Sequence, residues 1–251
     1  GAPTPVTAFF ATAPKVAAVA ILMRMSLDAF GTQVDAWRQI VIFAALASIV
    51  VGALGAIGQE NLKRLLAYSS INNVGFILIG LAAGTQEGAS GMLVYLAFYV
   101  AMTIGSFGAV LMLRDAQGNQ VEKIADIAGL SRSHGALALC LAVMMFSLAG
   151  IPPLMGFWGK FVVFRAAVNA DLIVLAALGI AASVIGAFYY LKIVKVMYFD
   201  EPAEVVEGKS DTASWVVLAL ATIFVSPLGF LLTSWLGGWA DRAAAALFFA
   251  A

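Results

Sequence analysis

Long apolar runs, separated by short polar loops that carry most of the charge, are the dominant pattern in this chain. A helix that crosses a membrane needs about 20 largely apolar residues. Seven runs meet that requirement, at approximately 5–23, 39–58, 66–83, 89–113, 135–167, 172–198 and 213–236. Gly, Asn, Asp and Pro punctuate the loops between them. The pattern predicts an all-α integral membrane protein, a bundle of about seven transmembrane helices.

Two of these helices are expected to be discontinuous. The fifth run is too long for one straight span, at about 50 Å of ideal helix. It is interrupted at Ile151-Pro152-Pro153, because each proline removes an amide donor and clashes with the preceding turn. Two half-helices follow, about 135–149 and 154–167, with unwound backbone between them. Such backbone survives at membrane depth where protein buries it or where it lines a wet cavity. Pro14 is a milder interruption of the first run, so Pro14, Pro152 and Pro153 are the predicted helix breaks. The small-residue stretches GALGAIG (52–58) and GSFG (105–108) predict close helix packing.

Composition strengthens this reading. Hydrophobic residues make up 63% of the chain and charged residues 11%, with a mean hydropathy of +0.98; a soluble domain carries roughly a quarter charged residues. The net charge of zero leaves no nucleic-acid footprint. A single cysteine, Cys140, and a single histidine, His134, are too few for an iron–sulfur cluster or a structural zinc site. The chain is therefore expected to bind no cofactor and no metal, and Cys140 reads as a packing residue. It begins at Gly1 without methionine and without a signal peptide, and reads as a piece of something longer.

Loop charge sets an orientation. With Gly1 near the cytoplasm, Lys63, Arg64, Arg114, Lys123, Arg132, Lys192, Lys195 and Lys209 fall on the cytoplasmic side. Arg24, Arg38, Arg165 and Arg242 fall on the other. Eight against four supports seven spans. The tail 237–251, ending AAAALFFAA, is expected to rest at an interface.

Two cations belong to neither side. Lys15 (ATAPKVAAVAILM) and Lys160 (AGIPPLMGFWGK) lie inside apolar runs beside prolines. An ionisable residue at membrane depth is a functional candidate by default. Burial penalises the charged form of an amine, so such a lysine can take and release protons as nearby charges change. Arginine, effectively always protonated, cannot. All fourteen acidic residues fall in loops or at span ends, which leaves both lysines without an obvious carboxylate partner in this chain. The alternative is that each lysine snorkels to an interface. Thr12, Tyr95, Tyr99, Thr103 and Ser147 are polar residues that could hold water near the lysines. Interhelical hydrogen bonding is the alternative role for each. His134, at the start of the broken helix, is a candidate proton entry point or a plain interfacial residue.

Three stretches, GAPTPVTAFFATAPKVA, QENLKRLLAYSSINNVGF and GIPPLMGFWGKF, resemble the antiporter-like membrane subunits of bacterial respiratory complex I, the NADH–quinone oxidoreductase. Multisubunit cation/proton antiporters share the LKRLLAYSS-like stretch. A lysine after ATAP and another in GFWGK favour the branch with lysine at both places, over branches with histidine at the first or glutamate at the second. The resemblance covers essentially the whole chain.

It implies a fourteen-span fold of which this chain holds spans 8–14. The linking helix would be 1–24, a five-helix repeat 38–199, and the final span with its tail 213–251. Lys15 would be the central lysine and Lys160 the terminal lysine of a proton relay, with Lys63 in a structural or surface role. FMN, iron–sulfur clusters and quinone would lie in other subunits. The implied partners are other membrane-arm subunits, including a neighbouring antiporter-like subunit, and lipid. The implied location is the bacterial inner membrane, or alternatively the mitochondrial inner membrane. The chain begins after the span-5 glutamate and span-7 lysine of the family pattern. The resemblance leaves three readings: a proton-translocating subunit, a cation/proton antiporter subunit, and a passive structural subunit.

Overall fold

A computed structural model describes residues 2–115, 117–202, 207–208 (backbone only) and 211–248. Gly1, Lys209 and the last three residues of the tail, all used in the reading above, lie outside that set. The chain forms α1 (Thr4–Met23), α2 (Val34–Ile57), α3 (Leu62–Ala82), α4 (Gln86–Leu111), the short α5 (Leu130–Ser133), α6 (Gly135–Ala149), α7 (Met155–Asn169), α8 (Ile173–Phe199), α9 (Thr212–Val225) and α10 (Thr233–Ala245). A minimal antiparallel pair joins β1 (Leu113–Arg114) to β2 (Glu207–Gly208).

Five helices are each long and apolar enough to cross a membrane, namely α1 with its π-helical extension to Ala29, α2, α3, α4 and α8. Helices α6 and α7, 15 residues each, make up the long fifth run, broken where the Ile-Pro-Pro sequence required. Two expectations need correction. Helix α1 runs unbroken through Pro14, since one proline removes a single amide donor and the turns on either side hold. The final span is not straight: α9 ends after 14 residues, a 3-10 turn covers Pro227–Leu232, and α10 leaves at 70°. Pro227 forces the residue before it out of the helical region, and Ser226 is accordingly extended (ψ 175°), its hydroxyl accepting from the Leu228 amide at 3.2 Å.

Helices α3 and α4 form the centre, with Leu65, Phe76, Ile77, Tyr95 and Phe98 inaccessible. Close approach of α2 to α3 depends on small residues. A Cβ at Gly52 would sit 2.5 Å from the Asn72 amide nitrogen, and one at Gly55 would meet the Tyr68 ring at 2.4 Å. Gly58 faces open space, so the first two glycines of GALGAIG serve packing and the last does not.

The polar ends sort as the loop charges predicted. At one end Arg38 donates to the Ala82 and Ala83 carbonyls that end α3, and Arg165 and Asn169 hold Glu87 at the start of α4, at 2.8 and 2.9 Å. At the other end Lys192 reaches the Gln59 carbonyl, and Lys63 donates to Glu122 at 2.8 Å. Glu122 also accepts from Asn61, whose own side chain caps α3 by accepting from the Arg64 amide. The loop after α4 is thereby clipped to the start of α3. Of the structural and surface roles open to Lys63, the pair with Glu122 gives it the structural one.

Two outcomes follow. In the assembled protein, Gly52→Ala pushes α2 off α3 and costs about 1–3 kcal/mol, the usual range for overpacking. Gly58→Ala is near neutral; thermal melting of the detergent-solubilised protein distinguishes them. The second concerns Glu122, whose carboxyl is held below the usual carboxylate range chiefly by the hydrogen bond from Lys63, with Asn61 next. A lowered acid contributes stability above its unfolded value and loses it as pH falls through the folded one. The clip is therefore closed at neutral pH and opens in acid. The amides of Leu62 and Ile124, which bond across the clip to Glu122 and Glu60, lose hydrogen-exchange protection on acidification, measured against their intrinsic rates at each pH. Glu122→Gln removes that pH dependence.

Candidate functional site

Thr4, Ala11, Val19 and Met23 form the buried stripe of α1, and Lys15 lies in the middle of it, half-buried. Its ammonium donates to the hydroxyl of Ser70 on α3, and Ser70 in turn shares a hydrogen bond with the hydroxyl of Tyr99 on α4. Tyr99 also donates to the Ala11 carbonyl at 2.9 Å, which binds α4 to α1 one turn before the lysine. Thr103, one turn beyond Tyr99, is buried and lines a cavity of ≈ 10 Å³ with Ser69, Ser70, Tyr99 and Ser106. That volume is about the space one water requires.

A second set lies beside the first. Tyr95 donates to the side-chain oxygen of Asn73 at 2.7 Å, and the Asn73 amide donates to Tyr190 of α8 at 3.1 Å. The Tyr190 and Ser69 hydroxyls are 2.5 Å apart. Tyr95 and Tyr99, four residues apart on one face of α4, thus serve two adjacent sets joined through the neighbouring serines of α3. Asn72 donates instead to the Ile49 carbonyl of α2 at 2.9 Å.

Lys160 forms the third set. It is 5% exposed. Its ammonium donates to the carbonyls of Leu148 and Ala149 at 3.0 and 3.1 Å and to the Ser183 hydroxyl of α8 at 2.9 Å. An ammonium carries three donors, and all three are used. The two carbonyls are free because α6 ends at Ala149. A helix C-terminus bears roughly half a negative charge, so the break supplies a counter-dipole where no carboxylate stands. Gly150 makes the turn at φ +84°, and a Cβ there would crowd Lys160 Cδ at 3.0 Å. On the other side the ammonium lies 4.6 Å from the centre of the Phe76 ring. An apolar groove of ≈ 570 Å³, lined by Phe157, Phe161, Phe164, Ile180 and Val184, opens beside it. Pro152 and Pro153 are exposed at the outer rim of the break.

Two members of the expected polar path do not join these sets. Thr12 donates to the Ala8 and Phe9 carbonyls of its own helix and lines a separate groove with Ile104, Phe107 and Ala213. Its own helix satisfies it, and it faces away from Lys15's partners. Ser147 is fully buried but acts as a bolt across the break. Its oxygen accepts from the Gly156 amide at 3.0 Å, pinning the first turn of α7, and its hydroxyl points at Met102 Sδ. His134 separates α5 from α6, half-buried, with Nδ1 3.2 Å from Ser133 Oγ.

Ser69, Ser70, Asn73, Tyr190 and Ser183 were not singled out from the sequence. Four polar residues in SSINN, inside an apolar run, were the available signal, because polar side chains at membrane depth must find partners.

Residues 1–186 match the family described as "NADH:quinone oxidoreductase/Mrp antiporter, TM". The chain is 71% identical over its full length to NADH-quinone oxidoreductase subunit N of Erythrobacter litoralis, of which it covers 51%. A chain of respiratory complex I from Thermus thermophilus superposes with a TM-score of 0.80 at 31% identity, covering 95% of this chain and 52% of that one. The Mrp complex from Dietzia sp. shares the fold, with a TM-score of 0.70 at 20% identity, covering 85% of this chain and 48% of that one. The chain thus spans about half the length of the curated relatives it matches. With a matching profile over most of its length, broken α6–α7 geometry and lysines on hydrogen-bonded polar sets inside an apolar bundle, it is a member of the NADH:quinone oxidoreductase/Mrp antiporter transmembrane family.

Proposed function

We propose that this chain is the part of a complex I subunit N that carries protons through Lys15 and Lys160, driven by quinone reduction in other subunits. The observation that carries the reading is the setting of Lys160: a fully hydrogen-bonded ammonium inside an apolar bundle, held by helix-end carbonyls and a hydroxyl. Neutral dipoles of this kind can solvate the ammonium without locking it into a permanent ion pair. A fixed carboxylate partner would hold the proton in place. Lys15, bonded to Ser70 and half-buried, is the matching station on the other side of the central polar sets.

Magnitudes permit the task. Moving one charge across 100 mV costs about 2.3 kcal/mol, and a hydrogen bond to a charged group contributes about 1.5–3 kcal/mol. Rearranging one or two such bonds is enough to drive a step. The chain itself performs no redox chemistry in this reading; FMN, iron–sulfur clusters and quinone belong to other subunits. Its partners are the other membrane-arm subunits, an antiporter-like neighbour among them, and its location is a bacterial inner membrane. The 71% identity to a subunit N supports this reading over exchange of sodium for protons, which would show as sodium-dependent transport without NADH.

The decisive test is Lys160→Ala in the full-length subunit within its intact complex, followed as NADH-driven proton uptake by vesicles together with assembly and NADH–quinone turnover. Pumping is expected to fall at least about tenfold while the complex still assembles, because a truncated relay loses its acceptor. Unchanged pumping would return Lys160 to a packing or snorkelling role. A second variant probes the other station. Ser70→Ala unlinks Lys15 from Tyr99 and lowers pumping, whereas Ser70→Thr keeps a hydroxyl in place and retains most of it. Equal pumping by the two variants removes Ser70 from the path.

A further inference from the structure

The two central polar sets do not reach Lys160 through any hydrogen bond among the described residues. Phe76 is the side chain of α3, the helix that carries those sets, that meets the Lys160 ammonium. It follows Asn73 by three residues, on the same side of α3, and is inaccessible to solvent. One face of its ring receives the Lys160 ammonium at 4.6 Å. It meets Phe164 of α7 in a T-shaped pair, with centroids 6.0 Å apart at 82°. Tyr95, which holds Asn73 from the other side, packs against Gly159, where a Cβ would lie 2.5 Å from its ring. The aromatic therefore stands one turn along α3 from a hydrogen-bonded set and against the buried Lys160.

We propose that Phe76 is a charge-held gate between the Asn73 set and Lys160. An aromatic face attracts a cation and has no comparable pull on a neutral amine. While Lys160 is an ammonium, its charge holds the ring in place, and the ring keeps water out of the gap. Once Lys160 has passed its proton outward, that attraction lapses. The ring can then turn aside, water can enter beside Asn73, and the amine can take a proton and become the ammonium that draws the ring back. The device lets a proton in when the site is empty and blocks its return when the site is full. Arg165 lines the same groove as Lys160, and among the described residues the other buried titratable side chains on the surrounding helices are Tyr95, Tyr99, Tyr189 and Tyr190. Arg165 is paired with Glu87 at 2.8 Å. None of these makes a hydrogen bond to the Lys160 ammonium, so the ring responds to Lys160 itself.

This inference rests on the relay reading, and the test separates the two. The intact complex, with its full-length subunit, is reconstituted in vesicles carrying Phe76→Leu, which keeps an apolar side chain and removes the aromatic face. Phe76→Met serves the same purpose with a more adaptable chain if the leucine variant assembles poorly. Phe76→Tyr keeps the face. Without NADH, an imposed pH gradient is expected to collapse about thirtyfold faster in the Leu or Met variant, which is what a desolvated cation–π contact is worth. With NADH, protons pumped per electron should fall in step. Phe76→Tyr should stay close to wild type. Adding Lys160→Ala to Phe76→Leu should remove the extra leak, because the gated route ends at that amine.

A leak that persists in the double variant reports loosened packing and overturns the gate. So do Leu and Met variants as tight and as well coupled as wild type in a background where Lys160→Ala abolishes pumping; the relay then stands without a gate. If Lys160→Ala leaves pumping intact, the relay reading fails and the gate fails with it.

Discussion

A cation buried among apolar helices, with no anion beside it, is the constraint around which this structure is arranged. An isolated ammonium in a low-dielectric interior is among the most costly things a fold can contain. Lys160 is stable because a helix stops beside it. Ending α6 at Ala149 releases carbonyls that would otherwise accept from the next turn, and two of them turn to the ammonium. The break is therefore part of the cation's solvation. Gly150 permits the sharp exit from α6, Ser147 secures the start of α7, and Ser183 completes the third hydrogen bond. Each follows from holding one charge with dipoles alone.

The packing of the centre follows from the same need. Dipoles solvate a charge only at fixed distances, so the helices that carry them must be held at fixed separations. In lipid, where apolar surface gains nothing by contacting protein rather than acyl chains, small residues and interhelical hydrogen bonds do that holding. Gly52 and Gly55 let α2 lie against α3, Gly105 makes room for Met144, and Gly156 meets the Ser147 carbonyl so closely that a Cβ would lie 1.8 Å from it. Arg38 and Arg165 fasten the ends of α3 and α7. Helix α3 can then present Ser69, Ser70, Asn73 and Phe76 along one side as an ordered series.

How much of this was legible in the sequence depends on the physics of each feature. The all-α membrane character and the sorting of charges to the two ends came from hydropathy and loop counts, which bulk transfer energies govern. Both lysines were evident because a charge inside an apolar run has few explanations. The partners of those lysines were less so. Thr12 and Ser147 are closer in sequence to Lys15 and Lys160 than Ser70 and Ser183 are, yet the more distant serines make the contacts. A hydroxyl within a helix can always bond to its own carbonyl three or four residues back, as Thr12 does. Proximity along the chain therefore says little about where a small polar side chain will bond. Choosing among them needs the helix rotations, which packing sets and periodicity only outlines. Tyr190 and Ser183, both on α8, could not be assigned before α8 was placed.

The prolines show the same limit more sharply, because identical residues gave different outcomes. A proline inside a helix costs about 3 kcal/mol, while leaving the helix at membrane depth exposes several backbone groups, each costing about 1–3 kcal/mol if unpaired. A break is favoured where other groups accept what it releases. Between Ala149 and Met155 those partners exist: Lys160 donates to two carbonyls and the Ser147 hydroxyl oxygen accepts from the Gly156 amide. At Pro227 the Ser226 hydroxyl takes the Leu228 amide, and the chain turns. Around Pro14 the Ala11 carbonyl receives the Tyr99 hydroxyl. That is one partner from outside the helix, too few to offset unwinding, so α1 continues as a helix. Whether a proline breaks a membrane helix is thus decided by the partners that surround it in space, which is why the break expected at Pro14 is absent and the one at Pro152 is present.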